Sequence, residues 1–272
     1  MASRLIAVES ADDPRIAEFR DIRERDLTGR QNRFIAEGSV VLRMLVEANR
    51  SGRFAVEKVL LLRNRVDGIA AILEGLPDSV PVYVAEAQVL DRIVGFHLHR
   101  GVLALGRREV AEIDLIERLP ECSLVLVGCG ISNHDNAGSM FRNAAAFKAD
   151  AVFLDETSCD PLYRKALRVS VGSVLSVPYE RKGTALDVLT RLAVNGFAIW
   201  TLSPRGETDI REIPPTSRMA LVVGTEGEGL PPAVLERFCS ARIPQSEELD
   251  SLNVATATGI ALFAMSSAAK LI

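Results

Sequence analysis

The sequence predicts an α/β protein: a smaller α/β domain, then a larger one built on a parallel sheet. Short apolar runs alternate with amphipathic stretches along most of the 272 residues, as strands and their covering helices do. A charged stretch ending in proline, "RREVAEIDLIERLPE", interrupts this alternation and marks a junction. Hydrophobic residues make up 48% and charged residues 25%, which is enough apolar surface for large cores without disulfide or metal staples. The boundaries read as 1–106, a linker at 107–121, and 122–272.

In the first domain, residues 14–26 read as a polar helix. "RFIAEGSVVLRMLVEANRSG" reads as a strand, a turn at Gly38 and an amphipathic helix ending at Ser51-Gly52. "VEKVLLL", "VPVYVA" and "GVLALG" read as strands, with "VDGIAAILEGL" and "EAQVLDRIVG" as the intervening helices. In the second domain the strands are "SLVLVGCG", "DAVFLDE", "SVPYE", "FAIWTLS", "MALVVG" and "ARIPQ". The helices between them are the alanine-rich part of "HDNAGSMFRNAAAFKA", then "YRKALRVSVGSVL", "TALDVLTRLAVNG", "PPAVLERFC" and the C-terminal stretch. Strands separated by helices imply parallel pairing.

Composition narrows the function classes. The net charge is −4 and the acidic excess lies in residues 111–272, against a generally basic nucleic-acid binder. Arg15, Arg20, Arg23, Arg25, Arg30 and Arg33 cluster early, interleaved with Glu18, Asp21, Glu24 and Asp26. That pattern fits helix ion pairs as well as an RNA-facing patch. Cys122, Cys129, Cys159 and Cys239 form no CxxC pair, so reduced thiols and no zinc site are expected. His97 and His99 share a strand face without a third ligand. "MASRLIAVESADDPR" has no apolar h-region, so a cytoplasmic protein is expected. "LNVATATGIALFAMSSAAKLI" carries Asn253, Thr256, Thr258, Ser266 and Ser267, which favours a packed helix over a membrane span.

Three segments carry chemistry. In the first, Asn136-x-Gly138-x3-Arg142-x-Ala144, Asp135 or Asn136 is the expected cap. Helix side chains lean toward the N-terminus, so Arg142 lies over the bare Gly138 at the mouth of the sheet. In the second, "LVVGTEGEGLPP", a strand enters a loop with three glycines and two acids. Glu226 and Glu228 would repel phosphate, so a cofactor with a cationic centre fits better, such as the sulfonium of S-adenosylmethionine. In the third, "IPQSEELDSLNVATATGIALF", a loop delivers Ser251 and Asn253 to the last helix, with Asp250 or Ser251 as its expected cap. Gly259 inside that helix points to close packing against another backbone. A competing reading takes "LVLVGCGIS" and Asp155 as a nicotinamide-binding fold, but Asn133 stands where its third glycine is needed.

Taken together, the three segments resemble the SpoU/TrmH-type RNA 2′-O-ribose methyltransferases of the SPOUT superfamily. Their motifs are N-x-G-x-x-x-R-x-A, GxExxGL and IP…SLNV…GIAL. "RVSVGSVLSVP" also looks like the family's intervening stretch. The resemblance is strong over residues 111–272. Residues 1–106, through "FIAEG" and "GVLALG", are similar to a substrate-binding domain with a ribosomal-protein fold. It implies a SPOUT-like trefoil knot at the C-terminus, a homodimer, and S-adenosylmethionine held by Gly224, Thr225, Gly229, Ile243 and Leu252. Arg142, Asn136, Glu226, Ser251 and Asn253 would form the catalytic group. The implied activity is methyl transfer to a ribose 2′-hydroxyl of structured RNA, rRNA favoured over tRNA, without a metal or a membrane. Gln245 replaces the family's usual methionine, and Glu247 stands where glycine is common. An inactive RNA-binding member is the alternative, opposed by intact Asn136, Arg142, Glu226, Ser251 and Asn253.

Overall fold

The computed structural model describes residues 5–20, 24–94, 100–109, 114–225, 227–246, 248 and 250–272. It divides into two compact units, one of residues up to 111 together with 162–175, the other of residues 112–161 and 176–272.

The first unit contains β1 (Leu5–Val8), α1 (Glu24–Arg30), β2 (Arg33–Glu37), α2 (Ser39–Arg50), β3 (Phe54–Leu62), α3 (Ala70–Glu74), β4 (Val82–Ala85), α4 (Ala87–Val94) and β5 (Val102–Arg108). Its sheet runs β1-β4-β3-β5-β2. β1 and β3 lie parallel to β4, while β5 is antiparallel to β3 and β2. Phe34 meets Phe54 edge to face at 5.6 Å. Gly106 of "GVLALG" makes room for that ring, because a Cβ there would stand 2.4 Å from Phe34 Cζ.

The polar helix expected over 14–26 is not continuous. A 3-10 turn covers Pro14–Phe19, with Asp13 accepting from the Arg15 N–H, and a separate α1 begins at Glu24. β1 was not anticipated, since four apolar residues show too little periodicity to read. The sheet also continues through Arg108, into the stretch read as linker; residues 110–113 of that stretch lie outside the described residues.

The second sequence half contains β6 (Ser123–Gly128), α5 (His134–Ala146), β7 (Ala151–Leu154), α6 (Arg164–Val169), α7 (Ser173–Ser176), β8 (Tyr179–Arg181), α8 (Ala185–Val194), β9 (Ala198–Leu202), β10 (Thr208–Asp209), β11 (Arg218–Val223), α9 (Pro232–Leu235), β12 (Cys239–Arg242) and α10 (Val254–Ala268). The sheet runs β10-β12-β9-β11-β6-β7-β8 and is parallel throughout. Its central strands β6 and β11 are nearly all apolar and buried, as a strand covered on both faces must be.

α6 belongs to the first unit although its sequence lies between β7 and β8. Arg164 stands 3.4 Å from Glu24 and 3.7 Å from Glu37, and Arg168 stands 3.9 Å from Glu37. At Gly172, where φ is +85°, a Cβ would be 2.8 Å from Met44 Cγ. Charge pairing and a bare backbone therefore seat residues 162–175 against α2 and β2, a pairing of distant segments that periodicity along the chain does not carry.

Candidate active site

In a parallel sheet all the loops that follow strand C-termini gather at one edge. β9, β11 and β12 are neighbours, so the segments after them converge. They enclose a pocket of about 640 Å³. Leu202–Arg205 enters from β9, Gly224, Thr225 and residues 227–230 from the segment after β11, and Ile243 and Gln245 from β12. Asp250, Ser251 and Leu252 close it, together with Val254 and Ala257 of α10.

The second segment forms this wall by a tight turn. Thr225 and Gly229 exchange backbone hydrogen bonds, each at 3.2 Å. Gly227 and Gly229 take φ of +91° and +72°, which favours glycine. A Cβ on Gly224 would fall 2.4 Å from the Gly229 carbonyl carbon, so only a bare backbone lets the turn fold onto β11.

Five residues named as cofactor contacts, Gly224, Thr225, Gly229, Ile243 and Leu252, all line the pocket, and so does Ser251. Glu226, Glu247, His97 and His99 lie outside the described residues. Glu228 and Asp250 are acidic wall residues, and Arg205 is the cation among the described lining residues. Backbone at three glycines, apolar Leu202, Leu230, Ile243 and Leu252, and two carboxylates fit a flat apolar group joined to a cationic centre. They do not fit a polyphosphate.

Arg142 and Asn136 sit on α5, outside the pocket lining. Arg142 is exposed, four residues past buried Gly138, and among the described residues no carboxylate pairs with it. Asn136 is 7% exposed and its Oδ1 accepts from Asn253 Nδ2 at 3.1 Å. That bond ties the first segment to the third.

Both expected helix caps move. α5 is capped by Asn133, whose side chain accepts from the Asp135 N–H at 2.8 Å, because Asp135 and Asn136 already lie within its first turn. α10 is capped by Asn253, accepting from Ala255 N at 2.9 Å and Thr256 N at 3.3 Å. Asp250 and Ser251 sit too far upstream and face the pocket instead. A second amide escaped the sequence reading: Asn143 donates to the Ala255 carbonyl at 2.7 Å. Its signal was Gly259, read as close packing against another backbone; the close neighbour is instead the Asn143 side chain, whose Nδ2 would stand 3.2 Å from a Cβ there.

Asp155, the acid that a nicotinamide reading requires, is buried at the end of β7. It accepts from Gly130 N at 3.1 Å, Ser158 N at 2.9 Å, Ser158 Oγ at 2.7 Å and Thr157 Oγ1 at 3.0 Å. Its carboxylate staples the two loops after β6 and β7 and is not presented to a ribose.

Among the described residues no group of three or more His, Cys, Asp or Glu side chains could hold a metal ion, and no helix is long and apolar enough to cross a membrane.

Residues 123–263 match the SpoU rRNA Methylase family. An uncharacterized tRNA/rRNA methyltransferase of Mycobacterium bovis is 38% identical, covering 93% of this chain and 88% of its own. A 23S rRNA (guanosine-2′-O-)-methyltransferase, RlmB, of Haemophilus ducreyi is 32% identical over 76% of this chain and 87% of its own. Among solved structures, an RNA 2′-O ribose methyltransferase superposes with a TM-score of 0.79 at 25% identity, covering 98% of this chain and all of that one.

Proposed function

This chain belongs to the SpoU rRNA Methylase family, and from that premise we propose that it transfers a methyl group from S-adenosylmethionine to a ribose 2′-hydroxyl of a structured RNA, rRNA ahead of tRNA. The observation that carries this reading is the Asn136–Asn253 hydrogen bond. It ties the helix bearing Arg142 to the loop whose Ser251 and Leu252 wall the pocket. The relatives named for tRNA/rRNA and for 23S rRNA 2′-O-methylation support the substrate class.

Gly224, Thr225, Gly229, Ile243 and Leu252 would hold the cofactor through backbone and apolar contacts, with Glu228 and Asp250 complementing its positive charge. When bound, the cofactor supplies an electrophilic methyl group. A ribose hydroxyl is a weak nucleophile, so positioning is the protein's main contribution. Arg142 offsets negative charge developing on the attacking oxygen or holds the adjacent phosphate with its planar fork. A guanidinium is permanently protonated and so a poor proton acceptor, and the proton leaves to phosphate or water. Asn136, Asn253, Ser251 and Glu226 orient Arg142, the ribose or the cofactor.

Residues 1–106 would grip the RNA. α10, with Ile260 and Phe263 exposed, would belong to a knotted C-terminal segment and supply a homodimer face.

The test has two arms. Calorimetry with S-adenosylmethionine and chelator present should show binding, abolished in Gly224→Ala. Incubation with total RNA and methyl-labelled cofactor should leave label in alkali-resistant dinucleotides, the mark of a blocked 2′-hydroxyl. Label on bases, or binding only with added divalent metal, overturns the proposal.

A further inference from the structure

We propose that Asn143 is a positioning residue for Arg142, and that Gly259 supplies the room it needs. This rests on the methyl-transfer reading above and deepens it. Neighbouring helix residues point about 100° apart, so fixing the rotation of α5 at Asn143 fixes the direction in which Arg142 leaves the helix.

Asn143 is fixed by a hydrogen bond to the neighbouring helix. Its Nδ2 donates at 2.7 Å to the carbonyl of Ala255 in the first turn of α10. That turn adjoins the pocket, whose wall includes Val254 and Ala257 on either side of the accepting residue. The side chain lies flat against α10 at Gly259. A Cβ there would stand 3.2 Å from Nδ2 and 3.4 Å from both Cγ and Oδ1, so an added methyl would make the amide give by a few tenths of an ångström and strain its bond to the carbonyl.

Glycine in the middle of a helix is otherwise unfavourable, and this one earns its place by letting a side chain reach the neighbouring backbone. Two further bonds set the frame along the same pair of helices. Asn253 Nδ2 meets Asn136 Oδ1 at 3.1 Å near the start of α5, and Ser266 Oγ donates to Phe147 O at 2.6 Å past its end. Asn143 lies between them, beside Arg142, and is therefore the tie that sets the direction in which Arg142 leaves α5.

A purely structural role and a positioning role predict opposite behaviour for Gly259→Ala. Alanine is the better helix former, so thermal stability should hold or rise. If the clamp sets Arg142, single-turnover methyl transfer with saturating RNA and cofactor should nonetheless fall about tenfold. Asn143→Ala and Asn143→Asp, the latter nearly isosteric but without the donor, should fall similarly, with cofactor affinity within about twofold of the parent. The double variant Asn143→Ala/Gly259→Ala should be no slower than the slower single variant, because both remove one interaction.

Parent-like rates in the single variants overturn the clamp, as do rate losses that track losses of melting temperature. So does multiplication of the two single effects. A parent protein that transfers no methyl to RNA overturns the methyl-transfer reading together with the clamp. An active parent with equally active Asn143 variants overturns the clamp alone.

Discussion

Asn253 donates from Nδ2 to Oδ1 of Asn136 at 3.1 Å, while its own Oδ1 caps α10 by accepting from the Ala255 and Thr256 amides. One side chain thus starts a helix and ties it to another helix 117 residues earlier in the chain. The two tasks use different atoms and can be separated. Asn253→Asp keeps the capping oxygen but loses the donor toward Asn136. It should melt close to the parent and methylate RNA at least tenfold more slowly. Asn253→Ala loses both and should also destabilise the protein by about 1 kcal/mol, the usual worth of a cap. Thermal unfolding and single-turnover kinetics on the two variants check this. Equal melting losses in both would mean that the amide bridge, not the cap, dominates stability.

Arg142 should be more sensitive than its charge alone explains. Lysine keeps the positive charge but loses the planar fork and shortens the reach. Loss of one preorganised donor at a developing oxyanion typically lowers turnover by about 100- to 1,000-fold, and Arg142→Lys should approach Arg142→Ala. Cofactor affinity should barely change, since Arg142 lies outside the pocket lining. Single-turnover methylation with saturating RNA is the measurement, and near-parent rates in Arg142→Ala would remove this residue from the chemistry.

The thiols should divide by burial. Cys129 is 2% exposed, and burial, with the Asp155 carboxylate nearby, pushes its pKa up to about 12. Burial likewise raises Cys159 to about 11, with Asp160 adding to it. The thiolate is the reactive form, so at pH 8 a pKa near 12 leaves roughly one Cys129 in 10,000 ionised. Cys122 and Cys239 are exposed. A disulfide reagent at pH 8 should modify Cys122 and Cys239 promptly and reach Cys129 only on unfolding. Mass spectrometry of the labelled peptides reads the order directly, and early label on Cys129 would mean that the strand end opens in the native state.

Local chemistry made much of the second sheet legible. Apart from Ser123 and Arg218 at their first positions, β6 and β11 are apolar runs, and a doubly covered parallel strand demands that composition within a single segment. The turn at Gly224–Gly229 was visible for a similar reason: its positive-φ positions need glycine, and the residues that close it lie within the same loop. Gly224, Thr225, Gly229, Ile243, Ser251 and Leu252 of the pocket lining follow from motif resemblance over contiguous stretches, whereas Leu202–Arg205 carry no such motif. β10, two residues long and held by its register with β12, has no pattern of its own to read, and β1 has hardly more.

Decisions that pair distant residues belong to the tertiary structure alone. Asn253 rather than Asp250 or Ser251 caps α10, because only the folded loop determines which oxygen faces the first free amides. Residues 162–175 join the first unit because Glu24 and Glu37 meet Arg164 and Arg168 there, a complementarity between charges well over a hundred residues apart. Asn143 shows no signal of its own in the sequence, and Gly259 points to close packing without naming its partner. Each acquires its reason only from the other, since a hydrogen bond and the space that admits it are properties of two backbones brought together and of neither sequence segment by itself.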